Sequence, residues 1–216
     1  MPAVPLSPKV FHITHIDNLA GILQAGGIWS DGQRVERALG STLIGMNSIK
    51  QRRLHRLRVD CHPGTMVGEY VPFYFCPRSI MLYILHMANH PDLTYHGGQR
   101  PILHFQADMM AAVRWAQTNA RPWAFTDRNA GATYASFYWS MDDLDKIQWD
   151  AVNATDFRNP EIKEGKQAEF LLHEFFPWEL VECVGVFDAA IRDQVKAVLA
   201  PLQHRPPVQI WRDWYY

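Results

Sequence analysis

Lys166-Gln-Ala-Glu-Phe-Leu-Leu-His-Glu-Phe175 is the stretch on which the fold turns. Strand periodicity puts Gln167, Glu169, Leu171 and His173 on one face and Ala168, Phe170, Leu172 and Glu174 on the other. Both faces carry bulky apolar residues, so the segment reads as a central strand. An ionised carboxylate in such a strand costs several kcal/mol to desolvate unless it is partnered. Glu169 and Glu174 are therefore candidates for a functional role. The competing reading has the glutamates reach solvent at a strand end. The pattern leaves that open for Glu169 and favours it for Glu174, near the end of the run.

Outward from this strand, the Phe176–Glu179 turn leads to a second strand over 181–187. Upstream, Val10–Thr14, Ile28–Trp29, Val71–Phe75, Ile102–Phe105 and Trp123–Phe125 read as short strands rich in β-branched and aromatic residues, and a last one lies near Val208–Trp211. Helices are expected from the caps at 15–18 through Leu19, Ile22 and Leu23 to Gly26-Gly27, and from Pro77 and Ser79 through Met81, Leu82, Leu85 and Met87. Two more run over Asp108–Thr118 and Ala189–Leu199. Residues 30–50 read as polar and partly helical, and 141–165 as acidic and then loop-like. Short strands broken by a few helices, without βαβ alternation, predict an α+β fold with a mostly antiparallel core flanked by helices. At 216 residues the chain is expected to form a single domain over 1–216.

Formal net charge is −1, so nucleic-acid binding finds no support in bulk charge and must rest on local clustering. Such a cluster exists: Lys50, Arg52, Arg53, Arg56 and Arg58, with His55 among them. On a helix Arg52 and Arg56 share a face, and the patch could track phosphates. A solvated helix face is the plainer alternative. In Phe11-His-Ile-Thr-His15, strand alternation points His12 and Thr14 together. His86 and His90 have metal-ligand spacing, but Met87 stands where a zinc protease needs Glu, so no metal is expected. The three cysteines, Cys61, Cys76 and Cys183, suggest neither a disulfide framework nor a zinc site. The lead-in MPAVPLSPKV lacks the charged and apolar regions of a leader, and no apolar run is long enough to span a bilayer. A cytoplasmic location is the expectation. GxGxxG after a strand and the P-loop pattern are both missing, so a bound dinucleotide needs another fold.

Several longer motifs occur together. They are His12-Ile-Thr-His-Ile-Asp-Asn18, Asn47-x-Ile-Lys-x-Arg-Arg53, Val71-Pro-Phe-Tyr-Phe-x-Pro-Arg-Ser79, Lys166-Gln-Ala-Glu-Phe-Leu171, His204-Arg-Pro-Pro-Val208 and Arg212-Asp-Trp-Tyr-Tyr216. With these the chain resembles, over essentially its whole length, the DarT family of toxin–antitoxin ADP-ribosyltransferases. The resemblance implies a fold related to the poly-ADP-ribose polymerases and NAD⁺-dependent modification of thymine in single-stranded DNA. A cognate macrodomain antitoxin of the DarG kind is implied as partner. Glu169 matches the catalytic glutamate. One of Arg52 and Arg53, with Arg53 preferred, matches the arginine near the reacting base. His12 and Thr14 match the element that holds the adenosine side of NAD⁺, with His15 and Asn18 beside it. Phe73, Tyr74, Phe75, Arg78, Met81 and Leu82 resemble the nicotinamide-pocket segment. Residues 155–168 would form the substrate loop. Lys50, Arg56, Arg58 and Lys166 would contact the DNA backbone, with Trp123, Tyr138 and Trp149 as candidates for base stacking. An RNA acceptor, a terminal phosphate acceptor or a non-catalytic nucleic-acid-binding module are the alternatives.

Overall fold

The computed structural model describes residues 4–216. The reading of MPAVPLSPKV rests in part on residues 1–3, which lie outside the described residues. In chain order the elements are β1 (Lys9–His15), α1 (Leu19–Gln24), β2 (Gly27–Trp29), α2 (Asp31–Glu36), α3 (Asn47–His55), β3 (Tyr70–Tyr74) and α4 (Ile80–Met87). Then come β4 (Ile102–Asp108), α5 (Met109–Thr118), β5 (Trp123–Thr126), β6 (Phe137–Tyr138), α6 (Trp149–Asn153) and α7 (Pro160–Gly165). The chain ends with β7 (Glu169–His173), β8 (Phe175–Pro177), β9 (Val181–Val186), α8 (Ala189–Leu199) and β10 (Val208–Ile210). One sheet runs β10-β9-β4-β1-β3-β7-β5-β6, antiparallel except for the β10/β9 pair, and β2 pairs with β8 in a small second sheet.

β7 lies between β3 and β5, with Phe170 opposite both Phe73 and Phe125. Phe170 and Leu172 join the main core, beneath Ala112, Val113 and Ala116 of α5. Leu171 faces the other way, into a cluster with Tyr70, Ala124 and Ala130. This matches the alternation expected of a central strand, and it puts Glu169 on the Leu171 face. The helix starts follow from side-chain caps: Ser79 accepts from Leu82 N, Asp108 from Ala111 N and Asp188 from Ile191 N.

The expected continuous strand through Phe175 is broken at Glu174, which sits in the left-handed region at φ 61°. A non-glycine residue there costs on the order of 1 kcal/mol. The site is pinned because Glu174 N donates to Glu69 O, Ser30 N donates to Glu174 O, and Arg121 pairs with the carboxylate. The break re-aims the chain so that β8 can pair with β2. Residues 141–165 are not the loop expected. Buried Trp149, its indole N–H donating to Leu144 O at 2.9 Å, anchors α6. Asn159 caps α7, with Pro160 as its first residue.

β1 pairs with β4 along all seven of its residues, but with β3 only at Phe11↔Tyr74. Pro72 has no N–H to donate, and its carbonyl takes a hydrogen bond from the His12 ring instead (Nδ1, 2.9 Å). The sheet therefore splits beyond this pair, and a crevice opens between β1 and β3.

Candidate active site

Glu169 has no exposed surface, yet each of its carboxylate oxygens has a donor. Arg53 Nη1 donates to Oε1 at 3.2 Å and Nη2 to Oε2 at 2.9 Å, a bidentate pair, and the backbone N–H of Ala130 donates to Oε1 at 2.9 Å. The position of the strand is fixed by Glu169 N donating to Thr126 Oγ1 at 3.0 Å. Burial alone would lower the pKa of Arg53, but the adjoining carboxylate outweighs it and the pKa is raised. Arg53 is thus a cation at any physiological pH. Tyr74 is directly opposite Glu169 in the antiparallel register, so the two side chains share a face. Burial, reinforced by that negative charge, pushes the Tyr74 phenol upward.

The crevice widens into a cavity of about 960 Å³, lined among others by His12, Thr14, Asn18, Asp31, Lys50, Tyr74 and Met81; Glu169 and Arg53 do not themselves line it, and Tyr74, directly across from Glu169, is the wall residue that joins the cavity to the pair. The His12 ring lies against Phe73 and Phe105, with centroids 5.5 and 6.3 Å away. Burial lowers its pKa to about 4. The ring is therefore neutral, and since Nδ1 donates to the Pro72 carbonyl, Nε2 is left as an acceptor. Asn18 ties the wall together: its Nδ2 donates to Thr14 Oγ1 (3.0 Å) and Thr42 O (2.9 Å), while its Oδ1 accepts from Thr42 N (2.8 Å). Residues 39–45 are thereby held over the cavity. Gly27 permits the close approach of β2 and β8, because a Cβ there would collide with the Phe176 carbonyl.

The structure separates the residues that the sequence grouped. Arg53, not Arg52, meets Glu169; Arg52 is exposed and its Nη2 donates to Gly131 O at 3.2 Å. Phe73 and Phe75 belong to the main core and Leu82 to the cluster beneath α4, so none of the three faces the cavity. His15 also lies off the cavity lining, and its Nδ1 accepts from Asp17 N to cap the short turn 16–18. Arg78 stacks on Tyr216 and borders a different, smaller cavity. Lys50 lines the large cavity, paired with Asp31 at 2.9 Å. Lys166 is a clear correction. It is 3% exposed, and its Nζ donates to Val152 O at 2.9 Å, so it offers no charge to DNA. Trp123 and Trp149 are buried in the core and cannot stack on a base, while Tyr138 already stacks on Phe125. Arg56 and Arg58, beyond the end of α3, are exposed and have no carboxylate partner among the described residues. The sequence reading missed the Ala130 amide, Asp31, Thr42 and Pro72. Ala130, Thr42 and Pro72 act through backbone atoms and leave no side-chain signal.

The profile of the family described as "ssDNA thymidine ADP-ribosyltransferase, DarT" matches residues 11–216. The chain belongs to the DarT family. It is 41% identical over 216 residues to a DNA ADP-ribosyl transferase of Thermus aquaticus, spanning 99% of this chain and 91% of that one. Thermus sp. 2.9 DarT, 36% identical, has been solved with ADP-ribosylated ssDNA (TM-score 0.89, covering 100% of this chain and 99% of that one). It has also been solved with NAD⁺ (TM-score 0.86, covering 99% and 100%). A DNA ADP-ribosyl transferase–DNA ADP-ribosyl glycohydrolase fusion protein of Thermosipho africanus is 29% identical over 135 residues, 62% of this chain and 30% of the fusion. As a DarT-family member the chain has the ADP-ribosyltransferase fold, and it is an enzyme that ADP-ribosylates thymidine in single-stranded DNA. Among its described residues no helix is long and apolar enough to cross a membrane.

Proposed function

We propose that this enzyme takes NAD⁺ into the crevice between β1 and β3 and transfers its ADP-ribosyl group to N3 of an unpaired thymine held at Glu169. The observation that carries this reading is a buried carboxylate gripped by a guanidinium and a backbone amide, directly across the strand pair from Tyr74 on the wall of a cavity of about 960 Å³. Cavities that enclose small-molecule ligands run to roughly 300–1,000 Å³, and the mixed aromatic and polar walls suit a dinucleotide. NAD⁺ supplies the ADP-ribosyl group, with nicotinamide as the leaving group.

The neutral His12 ring offers Nε2 as an acceptor, and Thr14, held by Asn18, offers a hydroxyl beside it. Tyr74, directly opposite Glu169, lines the cavity, as does Met81. The Glu169 carboxylate sets negative charge where the ribose carbon becomes electron-poor, a preorganised electrostatic effect, and then accepts the N3 proton of the base. Arg53 cannot be that base, because its raised pKa keeps it protonated. It holds Glu169 in place and turns its remaining N–H groups toward the thymine carbonyls, on which negative charge develops. A single strand is required because N3 is engaged in Watson–Crick pairing in a duplex, and an unpaired base avoids an unstacking cost of a few kcal/mol. Arg56 and Arg58 supply phosphate contacts, and residues 155–168 form the substrate loop.

The whole of 1–216 acts as one transferase domain, in the cytoplasm, as the toxin of a toxin–antitoxin pair. Its partner is a macrodomain glycohydrolase that removes the same mark, the pairing found within one chain in the Thermosipho africanus fusion. The test is mass spectrometry of single-stranded oligonucleotides incubated with NAD⁺ and the enzyme. The expected result is one ADP-ribose added on the thymine base, lost in Glu169→Ala while thermal unfolding stays cooperative. Labelling of a matched RNA but not the DNA, or full turnover by Glu169→Ala, overturns the assignment.

A further inference from the structure

The Glu169 carboxylate is held by Arg53 and by the Ala130 amide, and one further side chain sets where both the Glu169 main chain and that amide lie. Thr126 ends β5 with no exposed surface. Its hydroxyl accepts from Glu169 N at 3.0 Å and donates to Arg128 O at 2.6 Å. A hydroxyl has one hydrogen to give. Glu169 O, at 3.5 Å, is the poorer acceptor in reach, so the hydrogen goes to Arg128 O. Thr126 therefore joins two pieces of chain, the first residue of β7 and the turn 127–131 that leaves β5. Two residues beyond Arg128, the Ala130 N–H donates to Glu169 Oε1 at 2.9 Å. A closed ring results: it runs from Glu169 N through the Thr126 hydroxyl and Arg128 O to Ala130 N, and back to the Glu169 carboxylate.

Strand pairing alone does not deliver this arrangement. The β5/β7 register runs from Trp123↔Leu172 to Phe125↔Phe170 and stops one residue short of Glu169. Where the carboxylate has to be fixed, a side-chain hydroxyl takes over from the ladder. The turn has a second internal tie, since Asn129 Oδ1 accepts from Gly131 N at 2.7 Å and so fixes the chain on either side of Ala130. The aim of the Ala130 N–H thus depends on Thr126 from the strand side and on Asn129 from within the turn. Valine matches the shape of threonine but can neither accept from Glu169 N nor donate to Arg128 O; serine can do both. Neither Thr126 nor Asn129 lines the large cavity, so what they contribute passes through Glu169 and not through the walls of the crevice. Electrostatic stabilisation depends on a carboxylate already in place when charge develops. A misplacement of about 1 Å costs roughly a hundredfold in rate.

We propose that Thr126 is a positioning residue for the transfer reaction: its hydroxyl locks the Glu169 main chain and the Ala130 amide into one unit and so sets kcat without touching NAD⁺. The proposal rests on the role given to Glu169 above. The experiment measures kcat and KM for NAD⁺ with a saturating single-stranded thymidine oligonucleotide, with rates scaled to the fraction of enzyme folded by circular dichroism at the assay temperature. In Thr126→Val, kcat should fall about a hundredfold while KM for NAD⁺ stays within about twofold, as expected when what is lost acts in the transition state and not in ground-state binding. Thr126→Ser, which keeps the hydroxyl, should return kcat to within about threefold of wild type. Asn129→Ala, at a half-buried position, should lower kcat about tenfold with the same unchanged KM. It decides the matter if Thr126→Val does not fold. A folded Thr126→Val with wild-type kcat overturns the proposal. So does a loss that appears in KM for NAD⁺, or a serine variant as slow as the valine one, which would assign the effect to packing of the methyl group. With Thr126→Val unfolded, a wild-type kcat in Asn129→Ala overturns it equally. Full turnover by Glu169→Ala is a different failure, that of the role given to Glu169 itself.

Discussion

Removing either member of the Arg53–Glu169 pair should damage both the fold and the reaction, and removing both should damage the fold less than the sum. The side chains are 12% and 1% exposed and meet at 2.9 and 3.2 Å. An uncompensated buried charge left by deleting one partner typically costs about 3–5 kcal/mol. Arg53→Met belongs at the upper end, because it leaves an ionised Glu169 with the Ala130 amide as its one remaining donor. Glu169→Gln belongs at the lower end: the Ala130 N–H keeps an acceptor, and the slightly exposed guanidinium can tilt toward water in the crevice. The double variant strands no charge. It should cost about 4 kcal/mol, giving a coupling energy of about 4 kcal/mol, the Coulomb attraction expected for a pair near this separation at an effective dielectric of about 20. Urea unfolding followed by circular dichroism measures all four corners. Turnover behaves differently: each single variant should lose about a thousandfold in kcat/KM, and the double variant little more, since the two groups act as a unit. Stability losses that add to within about 0.5 kcal/mol refute the ion-pair reasoning, whatever happens to activity.

Three further outcomes follow from the same geometry. Burial holds both His12 and His104 down to about 4 from 6.5. Between those pH values the unfolded chain binds more protons than the native one, so stability is lost as pH falls through that window. A urea midpoint that stays flat between pH 7 and pH 5 contradicts this. Gly27→Ala drives a methyl into the Phe176 carbonyl and should cost about 1–3 kcal/mol, with a raised KM for NAD⁺. An unchanged melting temperature rejects the close-approach argument. Arg56→Ala and Arg58→Ala should each reduce the slope of log affinity for single-stranded DNA against log salt by about 0.7. Lys166→Met should leave that slope alone while losing about 1–3 kcal/mol of stability through the orphaned Val152 carbonyl. A lowered slope for Lys166→Met reverses the correction made to that residue.

The parts of the site that were legible in the sequence are those in which a side chain conflicts with its neighbours. A run that is apolar on both faces made β7 legible as a central strand and Glu169 a candidate within it, and the family resemblance then singled out that glutamate. β4, α5 and α8 were legible from their periodicities alone; the structure adds Asp108 and Asp188 as caps of the two helices. Lys166 illustrates the opposite case. A lysine in a charged stretch reads as solvated, and its burial was decided by α6, whose Val152 carbonyl lies fourteen residues earlier. Assigning Arg53 over Arg52 likewise required knowing where the end of α3 settles. Both are plausible cations in sequence; one meets a carboxylate and the other a carbonyl.

The crevice itself shows why local pattern was insufficient. Pro72 is an ordinary strand proline until it is known that its neighbour across the sheet is β1, sixty residues away. Once that register is fixed, the missing N–H and the His12 bond to the Pro72 carbonyl explain together why two central strands pair at one position and then separate. The same contact holds His12 in the tautomer that leaves Nε2 free toward the cavity. A structural defect in the sheet and the preparation of a ligand-facing acceptor are thus one interaction. Replacing Pro72 with a residue able to donate to β1 would change both at once.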